Sequence, residues 1–336
     1  MVKVFAWGGD NLDILSEQID WAIEKSAAVI SRYQQASGAY PASPNFEVYQ
    51  YSWIRDGAFI ADAMSRIGKN ASAERFFNWC SILITNRREA ILSGQHLNAR
   101  YTYDGQDPTG DWGSYQLDGY GTLLWAIQQH KQRYGLGEEM YAEATGLIQH
   151  YLNVHWQEPC FDWWEEKEGI HAATLACVYA GLKAFAHPTA DLVKASIDLK
   201  SERVDSSLIV CGLFDAVDQE QIDPEIKAIE TNLTGPDGGV YRYADDSYYG
   251  GGEWPIVTGL LGWYYLKNGR KNQAALKLNW LIEHMKDSGW LPEQVKTNML
   301  HPEFYDQWVA KLGHPANPLL WSQAALITLA SELSKA

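Results

Sequence analysis

The sequence predicts an all-α fold, a closed barrel of twelve helices in two concentric rings. Two observations carry this expectation. Apolar residues recur at helical spacing along nearly the whole chain, and segments apolar on every face alternate with segments charged on one side. The periodicity predicts helices over 11–33, 54–67, 71–91, 116–134, 139–154, 171–185, 188–202, 206–216, 223–233, 254–268, 270–286 and 318–334. Leu12, Leu15, Ile19 and Ala22 form the stripe of the first, after a cap at Asp10 or Asn11. Asp223-Pro224-Glu225 reads as a cap followed by proline at the first helical position. Ala274, Leu278, Leu281 and Met285 repeat the stripe late in the chain. The run His171 to Phe185 is apolar or small on nearly every face, whereas 139–154 and 188–202 carry charge on one side. Such alternation places six helices inside six others. No linker splits the chain, so 1–336 reads as one domain.

Composition narrows the function. With 46% hydrophobic and 21% charged residues the chain folds rather than staying disordered. A net charge of −15 argues against nucleic-acid and anionic-membrane partners, which need a basic surface. The 15 Trp and 19 Tyr exceed what a core of this size needs and favour a cleft with stacking surfaces. Cys80, Cys160, Cys177 and Cys211 are scattered without metal-ligand spacing, and Cys177 and Cys211 sit in apolar runs. There is no H-E-x-x-H, G-x-S-x-G or phosphate-binding loop, and the nine histidines show no ligand spacing. No metal and no cofactor are expected. Met1 to Asp10 lacks a secretory pattern and no run reaches transmembrane length, so the expected location is cytoplasmic.

The residues with chemical character stand just before inner helices. Tyr49-Gln50-Tyr51-Ser52-Trp53-Ile54-Arg55-Asp56 opens the second helix and Asp111-Trp112 to Asp118 the fourth. Phe161-Asp162-Trp163-Trp164-Glu165-Glu166 opens the sixth, Arg242 to Tyr249 precedes the tenth, and Leu291-Pro292-Glu293-Gln294 precedes the twelfth. In a barrel of helical hairpins the loops entering inner helices emerge at one end, so these segments converge on one mouth.

Three carboxylates and three aromatic rings crowd into 161–166. Aromatic faces suit the C–H faces of a sugar, and a carboxyl in an apolar wall retains its proton more readily. Cleaving a glycosidic bond uses two carboxyl groups, one protonating the leaving oxygen and one attacking carbon or activating water. Glu165 or Glu166 is the candidate acid, and Glu293, after a proline in an apolar loop, the candidate partner. Arg55-Asp56 reads either as a local ion pair or as a donor and acceptor gripping sugar hydroxyls beside Trp53. Arg242 admits the same two readings, and Trp112 is either core or a platform for a second ring.

These residues resemble glycoside hydrolase family 15, the glucoamylase family. The resemblance runs from about Tyr49 to the C-terminus through Tyr-x-Tyr-x-Trp-x-Arg-Asp at 49–56, Trp112-Gly113, Asp162-x-Trp164-Glu165-Glu166, Arg-Tyr-x-x-Asp-x-Tyr-Tyr at 242–249 with Trp254, and Glu293-Gln294. Trp321-Ser322 is similar to the start of the family's last inner helix. The resemblance implies an (α/α)6 barrel, inversion at the anomeric carbon and release of glucose from a non-reducing end. It implies that Glu165 is the general acid, that Glu166 binds sugar in the next subsite, and that Glu293 is the general base. Trp53, Arg55, Asp56, Trp163, Trp164 and Arg242 would line the first sugar pocket, with Tyr49 and Trp321 supporting the base and its water, and Trp112, Asp246 and Tyr248 nearby. The chain departs from the family in leaving no room for an N-terminal β-sandwich. Trp163 stands where a smaller aliphatic residue is common, and Lys296 where an acidic or aromatic one is. The expected substrate is a small α-1,4- or α-1,6-linked oligosaccharide. Competing expectations are a trehalase or glucodextranase of the same family, and a non-catalytic sugar-binding regulatory module, which would have lost one of the two carboxylates.

Overall fold

The computed structural model describes residues 10–110, 112–200, 203–285 and 288–336, with side chains from residue 17 onward. The expectations for Met1 to Gly9, for the Leu12 and Leu15 side chains and for Asp111 fall outside what is described. Fourteen α-helices are present among the described residues: α1 (Asp10–Tyr33), α2 (Ile54–Arg66), α3 (Asn70–Thr85), α4 (Arg88–Leu92), α5 (Asp118–Tyr134), α6 (Ala142–His155), α7 (Ala172–Ala184), α8 (Thr189–Ala195), α9 (Ile209–Leu213), α10 (Gln219–Asn232), α11 (Pro255–Lys267), α12 (Lys271–Met285), α13 (Tyr305–Leu312) and α14 (Leu320–Leu333).

Helices α2, α5, α7, α9, α11 and α14 pack each on the next, and α14 closes back on α2. Outside them α1, α3, α6, α8, α10 and α12 each lean on an inner neighbour. This is the (α/α)6 barrel, and the composition of its helices follows from position. The inner helices α7, α11 and α14 are buried along almost their whole length, flanked by ring neighbours and the barrel interior. They therefore read as apolar without a stripe. Helices α5 and α7 come closest at Gly121 and Gly181. A Cβ on Gly121 would lie 2.3 Å from the Cys177 carbonyl oxygen, and one on Gly181 2.4 Å from that of Gly121.

Some boundaries differ from expectation. Helix α10 starts at Gln219, not after Asp223, because Asp218 and Gln221 form a capping box that satisfies two terminal backbone groups. Pro224 then stands inside the helix. The expected helix 206–216 is a 3₁₀ turn at Ser206–Leu208 followed by the short α9, and Asp215 beyond it is left-handed at φ 54°. Helix α8 stops at Ala195, and 71–91 divides into α3 and α4. Helix α13 was unforeseen; it packs on the 3₁₀ turn Tyr248–Gly250.

Two short antiparallel ribbons shape the mouth. Strand β1 (Ser52–Trp53) pairs with β2 (Arg100–Tyr101), setting Trp53 opposite Arg100. Strand β3 (Cys160–Phe161) pairs with β4 (Glu168–Gly169) and holds out the turn 162–167. The loop carrying Glu293 is pinned by an isolated bridge between Val295 and Glu253. Among the described residues no helix is long and apolar enough to cross a membrane. All four cysteines are buried and unpaired.

Candidate active site

The turn between β3 and β4 separates the three carboxylates of 161–166 into three surroundings. Asp162 builds the turn: its Oδ1 accepts from the Glu166 and Lys167 amides at 2.7 and 3.2 Å, and its carbonyl accepts from the Glu165 amide at 3.0 Å. Glu165 adopts φ 65°, a left-handed conformation costing a glutamate about 1–2 kcal/mol. Such strain persists only where surroundings enforce it, and here it directs the side chain into the mouth. Its Oε1 accepts from Trp53 Nε1 at 2.7 Å, Gln116 Nε2 at 2.9 Å and Arg55 Nη2 at 3.3 Å. Its Oε2 accepts from Trp112 Nε1. The aromatic wall thus presents polar N–H edges to Glu165, not only apolar faces.

Arg55 resolves as more than a local pair with Asp56. Its Nη1 donates to Asp118 Oδ2 at 2.9 Å and Gln116 Oε1 at 2.7 Å, while its Nε lies 3.8 Å from Asp56 Oδ2. Arg55, Asp56 and Asp118 are all buried. Burial pushes the Asp56 carboxyl up to about 7; Arg55 opposes this, and the neighbouring carboxylates Glu165 and Asp118 reinforce it.

Glu293 is 2% exposed. Tyr49 donates to its Oε1 at 2.7 Å and is 3.1 Å from the Tyr248 hydroxyl. Its Oε2 has no hydrogen-bond partner among the described residues. Burial pushes the Glu293 carboxyl up to about 7, against the Tyr49 hydrogen bond and the Arg242 charge. Burial and the Glu293 charge hold the Tyr49 phenol well above its usual range, so Tyr49 keeps the proton it donates. Tyr49 also meets Trp53 edge-on at 5.6 Å, and Trp53 in turn holds Glu165. Both carboxylates are thus fixed to one aromatic framework.

Glu166 faces a third group. Its carboxylate accepts from Tyr243 at 2.6 and 2.8 Å and lies 3.0 Å from Arg242 Nη2. Arg242 in turn holds Asp246 through two bonds of 2.7 Å and sits over Trp164 and Trp254 at 5.2 and 5.0 Å. Trp164 donates to Asp205 at 2.9 Å. Trp163 is buried at the floor, packed on Phe59 and Trp321 at 6.1 and 5.5 Å, with Arg55 over both indoles. Trp321 forms part of the floor under Arg55, and its neighbour Ser322 donates to the Pro292 carbonyl at 2.7 Å. Lys296 is exposed, its ammonium over Tyr305.

The structure brings the residues singled out from sequence into one network of contacts, joined by Gln116, Asp118, Asp205 and Tyr243. Asp118 stands at the start of α5 much as Asp56 stands in the first turn of α2, a parallel visible in the sequence. Asp205 had no local signal. His96, His155 and Glu158 also converge, which their spacing did not reveal. Glu158 Oε2 accepts from both imidazoles and Tyr115 at 2.9 Å, so protons already link the cluster.

Fold and site define a carbohydrate-cleaving enzyme: two carboxyl groups, one buried and one gripped by indoles, in an aromatic mouth of an (α/α)6 barrel. The sequence profile of glycosyl hydrolases family 15 matches residues 20–205. An isomaltose glucohydrolase from Kribbella flavida is 37% identical, over 92% of this chain and 91% of its own. A solved glycosidase variant in complex with glucose superposes with TM-score 0.90 at 34% identity, covering 98% of this chain and 99% of that one. A bacterial glucoamylase complexed with acarbose shares the fold at TM-score 0.73 and 18% identity, over 93% of this chain and 55% of that one. The chain belongs to glycosyl hydrolase family 15. It is a glycoside hydrolase, and its substrate is a sugar.

Proposed function

We propose that the protein is an inverting, exo-acting α-glucosidase that releases glucose from the non-reducing end of short α-1,4- or α-1,6-linked glucosides, with the α-1,6 linkage preferred. The observation that carries this reading is the contrast between the two carboxyls. Among the described residues Glu293 keeps one buried oxygen without a hydrogen-bond partner, suited to taking a proton from water, while Glu165 is aimed by indole N–H groups. Glu165 protonates the glycosidic oxygen as the bond from C1 breaks. Glu293 accepts a proton from the water whose oxygen bonds C1 from the opposite face. Arg55 and Asp56 grip hydroxyls of the first sugar above the Trp163 and Trp321 floor, with Trp53, Tyr49, Trp164 and Arg242 as walls. Glu166 and Trp112 meet the second sugar. No step needs a metal or cofactor. The linkage preference is supported by the activity named for the Kribbella flavida relative. The reading takes the chain as one catalytic domain and keeps the cytoplasm as its location, which suits four unpaired, buried thiols.

Separate assays on isomaltose, maltose and trehalose test it, with the product anomer followed by NMR. The expected result is β-glucose as first product and the highest kcat/KM on isomaltose. α-Glucose as first product would exclude inversion, and activity on trehalose alone would exclude the substrate class.

A further inference from the structure

Arg100 is a buried cation that none of the preceding roles uses. It lies on β2 with 4% exposure. The other buried arginines of the barrel face carboxylates: Arg55 meets Asp118 and Arg242 meets Asp246. Arg100 forms no ion pair with a carboxylate among the described residues. Among the described residues its Nη1 reaches the Val48 carbonyl at 3.4 Å and its Nε has no hydrogen-bond partner. It is surrounded by rings instead, 4.5 Å from the centroids of Tyr51 and Trp112 and 5.0 Å from that of Trp53. A desolvated guanidinium is costly unless something compensates it, and three π faces do so in part.

Two of those rings are the indoles that hold Glu165: Trp53 donates Nε1–H to Oε1 and Trp112 to Oε2. A cation on the face of an indole draws electron density from the ring and makes its N–H a stronger donor. Each indole therefore links a positive charge at its face to the Glu165 carboxylate at its edge. We propose that Arg100 is a positioning residue for the proton donor, acting through Trp53 and Trp112 to fix and polarise the two N–H edges that hold Glu165. The proposal rests on Glu165 being the proton donor. Other charged groups near Glu165 are Arg55 and Asp56 from α2 and Asp118 from α5, so Arg100 supplies a second cation from the opposite ribbon. Burial lowers the Arg100 pKa, and the Glu165 charge works against that lowering.

The test compares Arg100→Met, which keeps the length and removes the charge, with Arg100→Lys, which keeps the charge. Each is assayed on isomaltose and on α-D-glucopyranosyl fluoride, whose fluoride leaving group needs little protonation. Arg100→Met should lower kcat on isomaltose about tenfold, in the range of a desolvated cation–π contact, with KM little changed. It should alter turnover of the fluoride far less. Loss of a nearby positive charge favours the protonated acid, so the basic limb of its pH profile should move to higher pH. Arg100→Lys should recover most of the rate, and thermal melts monitored by circular dichroism confirm that each variant is folded. Equal losses on both substrates, or a wild-type rate and pH profile in Arg100→Met, would overturn the proposal. Glu165→Gln is the control: it should lose isomaltose turnover and keep fluoride turnover. If it loses both equally, the proton-donor reading fails first and the role of Arg100 falls with it.

Discussion

Replacing Glu293 by glutamine should abolish most turnover and, above neutral pH, make the protein more stable. Glu293 is buried, and burial raises its carboxyl from 4.5 to about 7. A carboxyl whose folded pKa exceeds its unfolded value binds its proton more tightly when folded. The folded state therefore loses stability as pH climbs from 4.5 through about 7, the reverse of the usual salt-bridged carboxylate. At about 1.4 kcal/mol per pKa unit, the cost of keeping Glu293 ionised is at most about 3.5 kcal/mol. Glutamine retains an oxygen for the Tyr49 bond and carries no charge. With about 2.1 cal/mol/K of unfolding entropy per residue, relief of that cost over 336 residues raises Tm by at most about 5 °C at pH 8. At pH 5, where Glu293 is already protonated, the gain should vanish. Loss of a general base lowers kcat by about 10²–10⁴-fold. Calorimetry at the two pH values and single-substrate kinetics check both arms. A Tm difference equal at pH 5 and pH 8, or near-wild-type kcat, would refute the reasoning. In the wild type, kcat/KM should fall as pH drops below about 7, because Glu293 must be ionised to accept a proton.

Tyr49→Phe removes a donor to a charged oxygen, worth about 1.5–3 kcal/mol. The acidic limb should move to higher pH and kcat/KM at pH 6–7 should fall about tenfold or more, read from pH–rate profiles; an unmoved limb contradicts the assignment. Asp118→Ala strips Arg55 of its nearest buried carboxylate and should destabilise the fold by about 3–5 kcal/mol, measured by denaturant unfolding. An unchanged midpoint would mean that Glu165 and Asp56 suffice to balance Arg55.

Much of this site was legible in the chain because sequence adjacency and chemistry coincided. Tyr49, Trp53, Arg55 and Asp56 fall within one run that enters α2, and Glu165 and Glu166 share one turn. Local composition does not separate those two glutamates, since neighbouring residues share the same sequence surroundings. Their difference lies in which loops they meet: indoles from 53 and 112 for Glu165, Tyr243 and Arg242 for Glu166. The convergence of Glu158 with His96 and His155, and the lodging of Arg100 among three rings, likewise depend on segments distant in sequence.

By itself the sequence determined the helical periodicity, the alternation of inner and outer helices, the two acidic roles on offer and the family. Those are properties of composition and short-range spacing, which a one-dimensional pattern carries. Only the tertiary structure decided how each carboxyl is held, where Arg55 turns and why Glu293 is so poorly hydrated. Desolvation and hydrogen bonding depend on which loops meet at the mouth, and closure of α14 onto α2 brings them together.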